Sequence, residues 1–200
     1  MTTFLEKWRN AQKAHHSRLA IGLAPRIVDM PAPIARYDDP FLPFGRAIIN
    51  ATAEFACAFV FDLASYLAIG AAGAVALERS IPLVPRELPV ILHAPFVTAD
   101  FAKAAFEDAF AVDAVTLATG KLEVVRAYTE NENHAAFVNT RAAMSPGGGS
   151  VGFFDETGFE FDGVRVLWVT DEIIYAAGTL DFENAVRSAA EHYRRESLKP

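Results

Sequence analysis

The chain has a single cysteine, Cys57, in 200 residues, so no disulfide can form within it. That lone thiol, with an N-terminus lacking a basic segment followed by an apolar one, points to a reducing cytoplasm. Basic residues are scarce too: 18 Lys and Arg stand against 25 Asp and Glu, a formal charge of −7. A chain of that sign has no net attraction for a phosphate backbone or an anionic leaflet, so neither nucleic acid nor a membrane is expected as a partner. Apolar runs stay short of the roughly 18 residues that a membrane-spanning helix needs. The 52% apolar content and only 12 glycines exclude a disordered or collagen-like chain. What is left is a globular chain large enough to bury a substantial core as a single domain over 1–200.

The apolar residues follow a rhythm. Phe4, Leu5, Trp8 and Ala11 recur at helical spacing, which predicts a short docking helix over 4–14, with Lys13, His15, His16 and Ser17 as its exit. Leu19–Leu23 is a continuous apolar run closed by Pro25, as a strand buried on both faces should be. Prolines and a Tyr-Asp-Asp cluster make 29–43 a loop. Beyond it, helices over 44–55, 70–84, 100–110 and 122–130 alternate with strands over 57–61, 90–92, 114–118 and 135–139. Nearly unbroken apolar strands alternating with helices predict a parallel α/β architecture, with five βα units over 17–140.

The rhythm fails at Ser145-Pro146-Gly147-Gly148-Gly149-Ser150. Val151–Phe154 and the alternating Phe159-Glu160-Phe161-Asp162 then flank a turn at Glu156-Thr157-Gly158, predicting an atypical hairpin segment over 145–163. Val164–Val169 is a last strand and 181–198 a last helix capped by Asp181, which together make a final βα unit over 164–198.

Several strings carry a resemblance: Leu19-Ala-Ile-Gly-Leu-Ala-Pro25, Phe44-Gly-Arg-Ala-Ile-Ile-Asn-Ala-Thr52, Cys57-Ala-Phe59, Pro89-Val-Ile-Leu92, and Ile173-Ile-Tyr-Ala176 followed by Asp181-Phe182. In this order they resemble the orotidine 5′-monophosphate decarboxylase family over roughly 4–140 and 164–198. The resemblance implies a TIM-type (β/α) barrel, dimeric, with active sites at the interface, that decarboxylates orotidine monophosphate in pyrimidine metabolism without a cofactor. A full barrel of this type takes about 250 residues. The expected form here is therefore reduced or incomplete, with about two βα units replaced by the Gly-rich loop and the hairpin, and with sheet edges left to cover.

The positions that the family uses differ one after another. Where the family's first strand ends Gly-Leu-Asp-Pro, this chain has Gly22-Leu23-Ala24-Pro25; Val60 stands at the lysine of the second strand. The family's Asp-Ala-Lys-Arg-Gly-Asp on the third strand is His93-Ala94-Pro95-Phe96-Val97-Thr98. The last strand's Ser-Arg-Gly is Thr170-Asp171-Glu172, two anions where the resemblance implies a phosphate-gripping arginine, and Arg141 matches an arginine that opens a loop in the family. Decarboxylation of this kind needs a cation to stabilise and protonate a carbanion, and Pro95 offers none. The expectation is a catalytically inactive, decarboxylase-like pseudoenzyme kept for assembly or regulation, as a homodimer or as part of a hetero-oligomer with another protein.

The chemistry of a barrel sits at the C-terminal ends of its strands. There the sequence puts Asp62, His93, Asn139, Thr140, Arg141, Thr170, Asp171 and Glu172. His93 with Asp62, Asp171 and Glu172 suits an acid/base pair or a divalent metal on His93 and Asp62, the second reading; Asn139, Thr140, Arg141 and Thr170 suit a small-molecule site, the third. The plainer view makes them solvated rim residues, with His93 bonded to Asp62 or to a backbone carbonyl. Trp168, Phe153, Phe154, Phe159 and Phe161 are either core or a patch for a partner, and the uncovered sheet edges favour the partner.

Overall fold

The computed structural model describes residues 2–140, 150–176 and 181–199. Helix α1 (Phe4–His15) opens the chain, held by a capping box in which Thr3 and Glu6 satisfy each other's backbone N–H groups. Strand β1 (Leu19–Leu23) follows, then the short helix α2 (Ala32–Ala35) and α3 (Phe41–Thr52). Next come β2 (Ala58–Asp62), α4 (Leu63–Leu67), α5 (Ala71–Ser80) and β3 (Val90–His93). After β3 a wide helical segment leads to β4 (Ala114–Leu117), α6 (Leu122–Thr129) and β5 (Ala135–Val138). The chain finishes with β6 (Ser150–Asp155), β7 (Gly158–Phe161), β8 (Val164–Val169), α7 (Asp171–Ile174) and α8 (Phe182–Ser197).

All eight strands join in chain order into one closed barrel. From β1 to β6 each strand runs parallel to the last, while β7 is antiparallel to both neighbours. Strand β8 returns parallel to β1, with Ala20 opposite Trp168. The expected uncovered edges are therefore corrected: closure pairs every described strand on both sides, and the positions of the two absent units are held by β6 and β7 without helices between them.

The aromatic group is corrected with it. Phe154, Phe159 and Phe161 are buried and Trp168 packs half-buried against them, so they are core rather than a patch awaiting a partner. Residues in register share a side of the sheet, so the chain lines the lumen with small residues on one half and aromatic ones on the other. Ala20, Ala58, Ala114 and Ala135 face the lumen from β1, β2, β4 and β5, Phe159 and Trp168 face it from β7 and β8, and Phe137 of β5 meets Phe159 at 4.9 Å while Phe159 meets Trp168 at 5.3 Å. At Gly22 a Cβ would overlap Thr170 Oγ1 and come within 2.7 Å of Trp168 Nε1; only a residue without a side chain lets the indole across the barrel. Phe4 and Trp8 of α1 plug the lower end, edge-on to Phe161 at 5.3 and 6.0 Å.

Two turns shape the hairpin half. Between β7 and β8, Asp162 and Gly163 have φ of 53° and 72°, the mirror-image turn whose twist matches that of its strands. Between β6 and β7 the Asp155 carboxylate accepts from the Thr157 and Gly158 N–H groups, at 2.9 and 3.1 Å. Elsewhere the expected helices stop short: 53–55 and 81–83 tighten into 3-10 turns, and 32–35 and 63–67 carry short helices that are too brief for periodicity to reveal. Over 104–108 the helix widens into a π turn. Phe101 and Phe110, on either side of this turn, come within 6.1 Å. Asp181 sits at the start of α8 but accepts from the Asn184 side chain, not from a backbone N–H, so the expected cap is corrected.

Candidate functional site

The strand ends and the hairpin turn enclose a cleft of about 1020 Å³, lined by His93, Asn139, Phe154, Asp155, Trp168 and Thr170 and rimmed by Glu156, Asp171 and Glu172. No lysine or arginine is among the described residues lining it.

His93 stands at its centre, half-buried at the end of β3. Its Nδ1 lies 3.0 Å from Thr116 Oγ1 on β4, and that hydroxyl accepts the Ala94 N–H at 3.0 Å. The ring packs 4.8 Å from Trp168 and edge-on to Phe154 at 5.8 Å. Burial among these rings lowers the imidazole below its ordinary value, against the opposing pull of the Asp62 charge, and so favours the neutral ring.

Asp62 lies beside His93 in register but its carboxylate is spent on helix α4, accepting from the Ser65 N–H at 3.0 Å and from the Ser65 hydroxyl. The expected bond from His93 to Asp62 or to a backbone carbonyl is thus corrected to one with Thr116. Among the described residues, no three His, Cys, Asp or Glu side chains gather as a metal set.

The rest of the predicted set divides. Asn139, Thr170, Asp171 and Glu172 join His93 in the cleft; Thr140 is outside its lining, and Arg141, with the glycine run, lies outside the described residues. Asp171 is not the bare anion the sequence suggested. Arg26, just after β1, donates both terminal nitrogens to it at 3.1 and 2.9 Å and its Nε to Asp29 at 2.6 Å. These carboxylates raise the guanidinium further, and its plane lies 4.6 Å over the Tyr175 ring. A cation is therefore present at this point, supplied by a different loop and held by two carboxylates.

At the other wall the Arg165 guanidinium binds Asp155 and, at 2.6 Å, the Thr157 hydroxyl. That contact, with the turn's backbone N–H, draws the Asp155 carboxyl down to about 2. Sequence reasoning had not placed Thr116, Arg26 or Arg165 at the site. The signals were present: a threonine on the inward side of β4, an arginine directly after Pro25, and the pairing of Glu160 with Arg165 across the hairpin.

Likeness to known proteins agrees with this architecture. The chain is 33% identical over 154 residues to orotidine 5′-phosphate decarboxylase of Herpetosiphon aurantiacus, a match covering 74% of this chain and 57% of that one. It is 39% identical over 120 residues to the enzyme of that name from Thermomicrobium roseum, covering 58% and 42%. The chain belongs to the orotidine 5′-phosphate decarboxylase family. It spans about half the length of these curated relatives. No family profile matches it. The fold is shared with Leishmania donovani OMP decarboxylase at a TM-score of 0.70 and 19% identity, over 98% of this chain and 97% of that one. It is shared also with the Plasmodium berghei orotidine 5′-monophosphate decarboxylase, at 0.72 and 12%, over 96% of each. No described helix is long and apolar enough to cross a membrane.

Proposed function

We propose that this family barrel does not decarboxylate orotidine monophosphate and has an assembly or regulatory role, as a homodimer or with another protein, in the cytoplasm. The observation that carries this reading is the centre of the cleft. A neutral imidazole fixed by Thr116 and boxed by Trp168 and Phe154 stands there, and no described lining residue is cationic. A carbanion formed in that box would lack both its electrostatic partner and its proton donor.

A small-molecule binding role is the second reading, favoured by the cleft's volume of about 1020 Å³. An enzyme of different chemistry on Asp62, His93, Asp171 and Glu172 has less support, because Asp62 and Asp171 are each engaged by a neighbour of their own.

The test is direct. Purified protein incubated with orotidine monophosphate should release no carbon dioxide above the buffer rate. Turnover sinks the proposal. Light scattering behind size exclusion should find more than a monomer, and a monomer alone removes the homodimer.

A further inference from the structure

Charge of the opposite sign collects at the other end of the barrel. A pocket of about 360 Å³ lies between the C-terminal end of α1, the link into β1 and the C-terminal end of α8. Arg9, Gln12, Lys13, His16, Arg18 and Leu198 line it, with no carboxylate among them. In a chain of formal charge −7 this is a local excess of cations.

Its donors are largely unspent. Arg9 is shared with Asp162, but the side chains of Lys13, His16 and Arg18 have no ion pair or hydrogen bond among the described residues. The Gln12 amide nitrogen is buried with no acceptor at all, an unmet donor of the kind that folded proteins rarely leave.

The pocket's walls are also held in place. His16 takes a left-handed conformation, φ 44°, and its N–H and that of Ser17 both turn back to the Gln12 carbonyl. The Ser17 hydroxyl donates to the Phe55 carbonyl at 2.6 Å, and the Arg18 N–H donates to Ser197 Oγ at 3.2 Å, which ties the link to α8.

Two helix C-termini approach this place, and each carries a partial charge of about −0.5 that basic side chains commonly answer. Here the αL cap turns two N–H groups onto the Gln12 carbonyl of α1, and the cations outnumber what two half-charges balance. Donors converge from several directions with no acceptor between them, which suits a tetrahedral, multiply charged oxyanion better than a neutral or cationic ligand. The volume exceeds that of one water, about 30 Å³, many times over.

We propose that this pocket binds a small ligand of the phosphate-ester class. Lys13 and Arg18 supply charge to its oxyanion, and the Gln12 amide supplies the buried hydrogen bond. The site is separate from the strand-end cleft and independent of the function proposed for it.

Inorganic phosphate is the probe, titrated into the full chain at constant ionic strength balanced with chloride, with binding read by calorimetry and by thermal midpoint. A saturable signal is expected. Lys13→Glu with Arg18→Glu should weaken it by about ten-fold or more, since two reversed charges act on one anion. Gln12→Leu should weaken it without changing the charge, and Glu172→Gln at the far end should leave it unchanged. Lys13 and Arg18 are exposed, and single Arg18→Ala keeps the test available if the double reversal folds poorly. An equal response to chloride overturns the proposal, as does phosphate binding that ignores Lys13, Arg18 and Gln12.

Discussion

From β1 to β4 each strand is followed by helical structure and lies parallel to its neighbours, whereas β6, β7 and β8 succeed one another through two-residue turns. The first half brings four alanines to the lumen beside Val60, Ile91 and Phe137; the second brings Phe154, Phe159, Phe161 and Trp168. Eight strands can therefore close without eight helices, provided that one side of the lumen makes up in ring volume what the other omits. The cleft inherits this asymmetry. Its parallel side contributes the polar His93 and Thr116, and its hairpin side contributes the aromatic wall that keeps His93 neutral.

The comparison can be broken most forcefully at Phe159, fully buried between Phe137 and Trp168. Phe159→Ala should cost about 3–5 kcal/mol, because the alanines opposite cannot refill the space. Urea unfolding measures it, and a loss below about 1 kcal/mol would show that the hairpin half is peripheral to stability. A smaller effect is expected at Gly22, where Gly22→Ala drives a methyl into Thr170 and Trp168. Overpacking of this kind costs about 1–3 kcal/mol. It should be partly relieved in the double variant with Thr170→Ala, and failure of that rescue would mean that the Thr170 side chain does not rest on Gly22.

The smallest effect is a titration. His93 should lose its proton with a midpoint below 6.5, observed by NMR of the ring. Asp62→Asn should lower the midpoint further, because the Asp62 charge is what opposes burial. An unfolded chain takes up that proton near 6.5 and the native one only at lower pH. Stability linked to His93 is therefore complete above 6.5 and lost as pH falls below it. A midpoint above 6.5 would contradict the aromatic box.

Much of the fold was legible because its signals are local. An apolar run such as Leu19–Leu23 suits a doubly buried strand, and the alternation Phe159-Glu160-Phe161 behind the turn at Glu156-Thr157-Gly158 marks a hairpin. Closure was not legible, because it depends on Trp168 reaching Gly22 and Ala20 from the far end of the chain. The wide turn at 104–108 was hidden for a similar reason: Phe106 stacks on His134 at 3.9 Å, a contact that no spacing within the helix announces. At the cleft, position along each strand put His93, Asn139, Thr170, Asp171 and Glu172 together correctly. What those side chains bond to was beyond reach. Asp62-Leu63-Ala64-Ser65 has the spacing of a helix cap, and Arg26 finds Asp171 only once β1 and β8 are neighbours.

The antiparallel course of β7 also bears on how the chain finds its shape in time. Strands β6, β7 and β8 form a meander in which every pairing spans a few residues, so it can zip within the microseconds typical of hairpins, about 1–10 μs. The seam between β1 and β8 joins the two ends of the chain and carries the largest loop-closure entropy of any pairing here. A late-folding seam beside an early-folding meander makes the junction of Gly22 and Trp168 the place where the barrel locks, and the place from which it should first open.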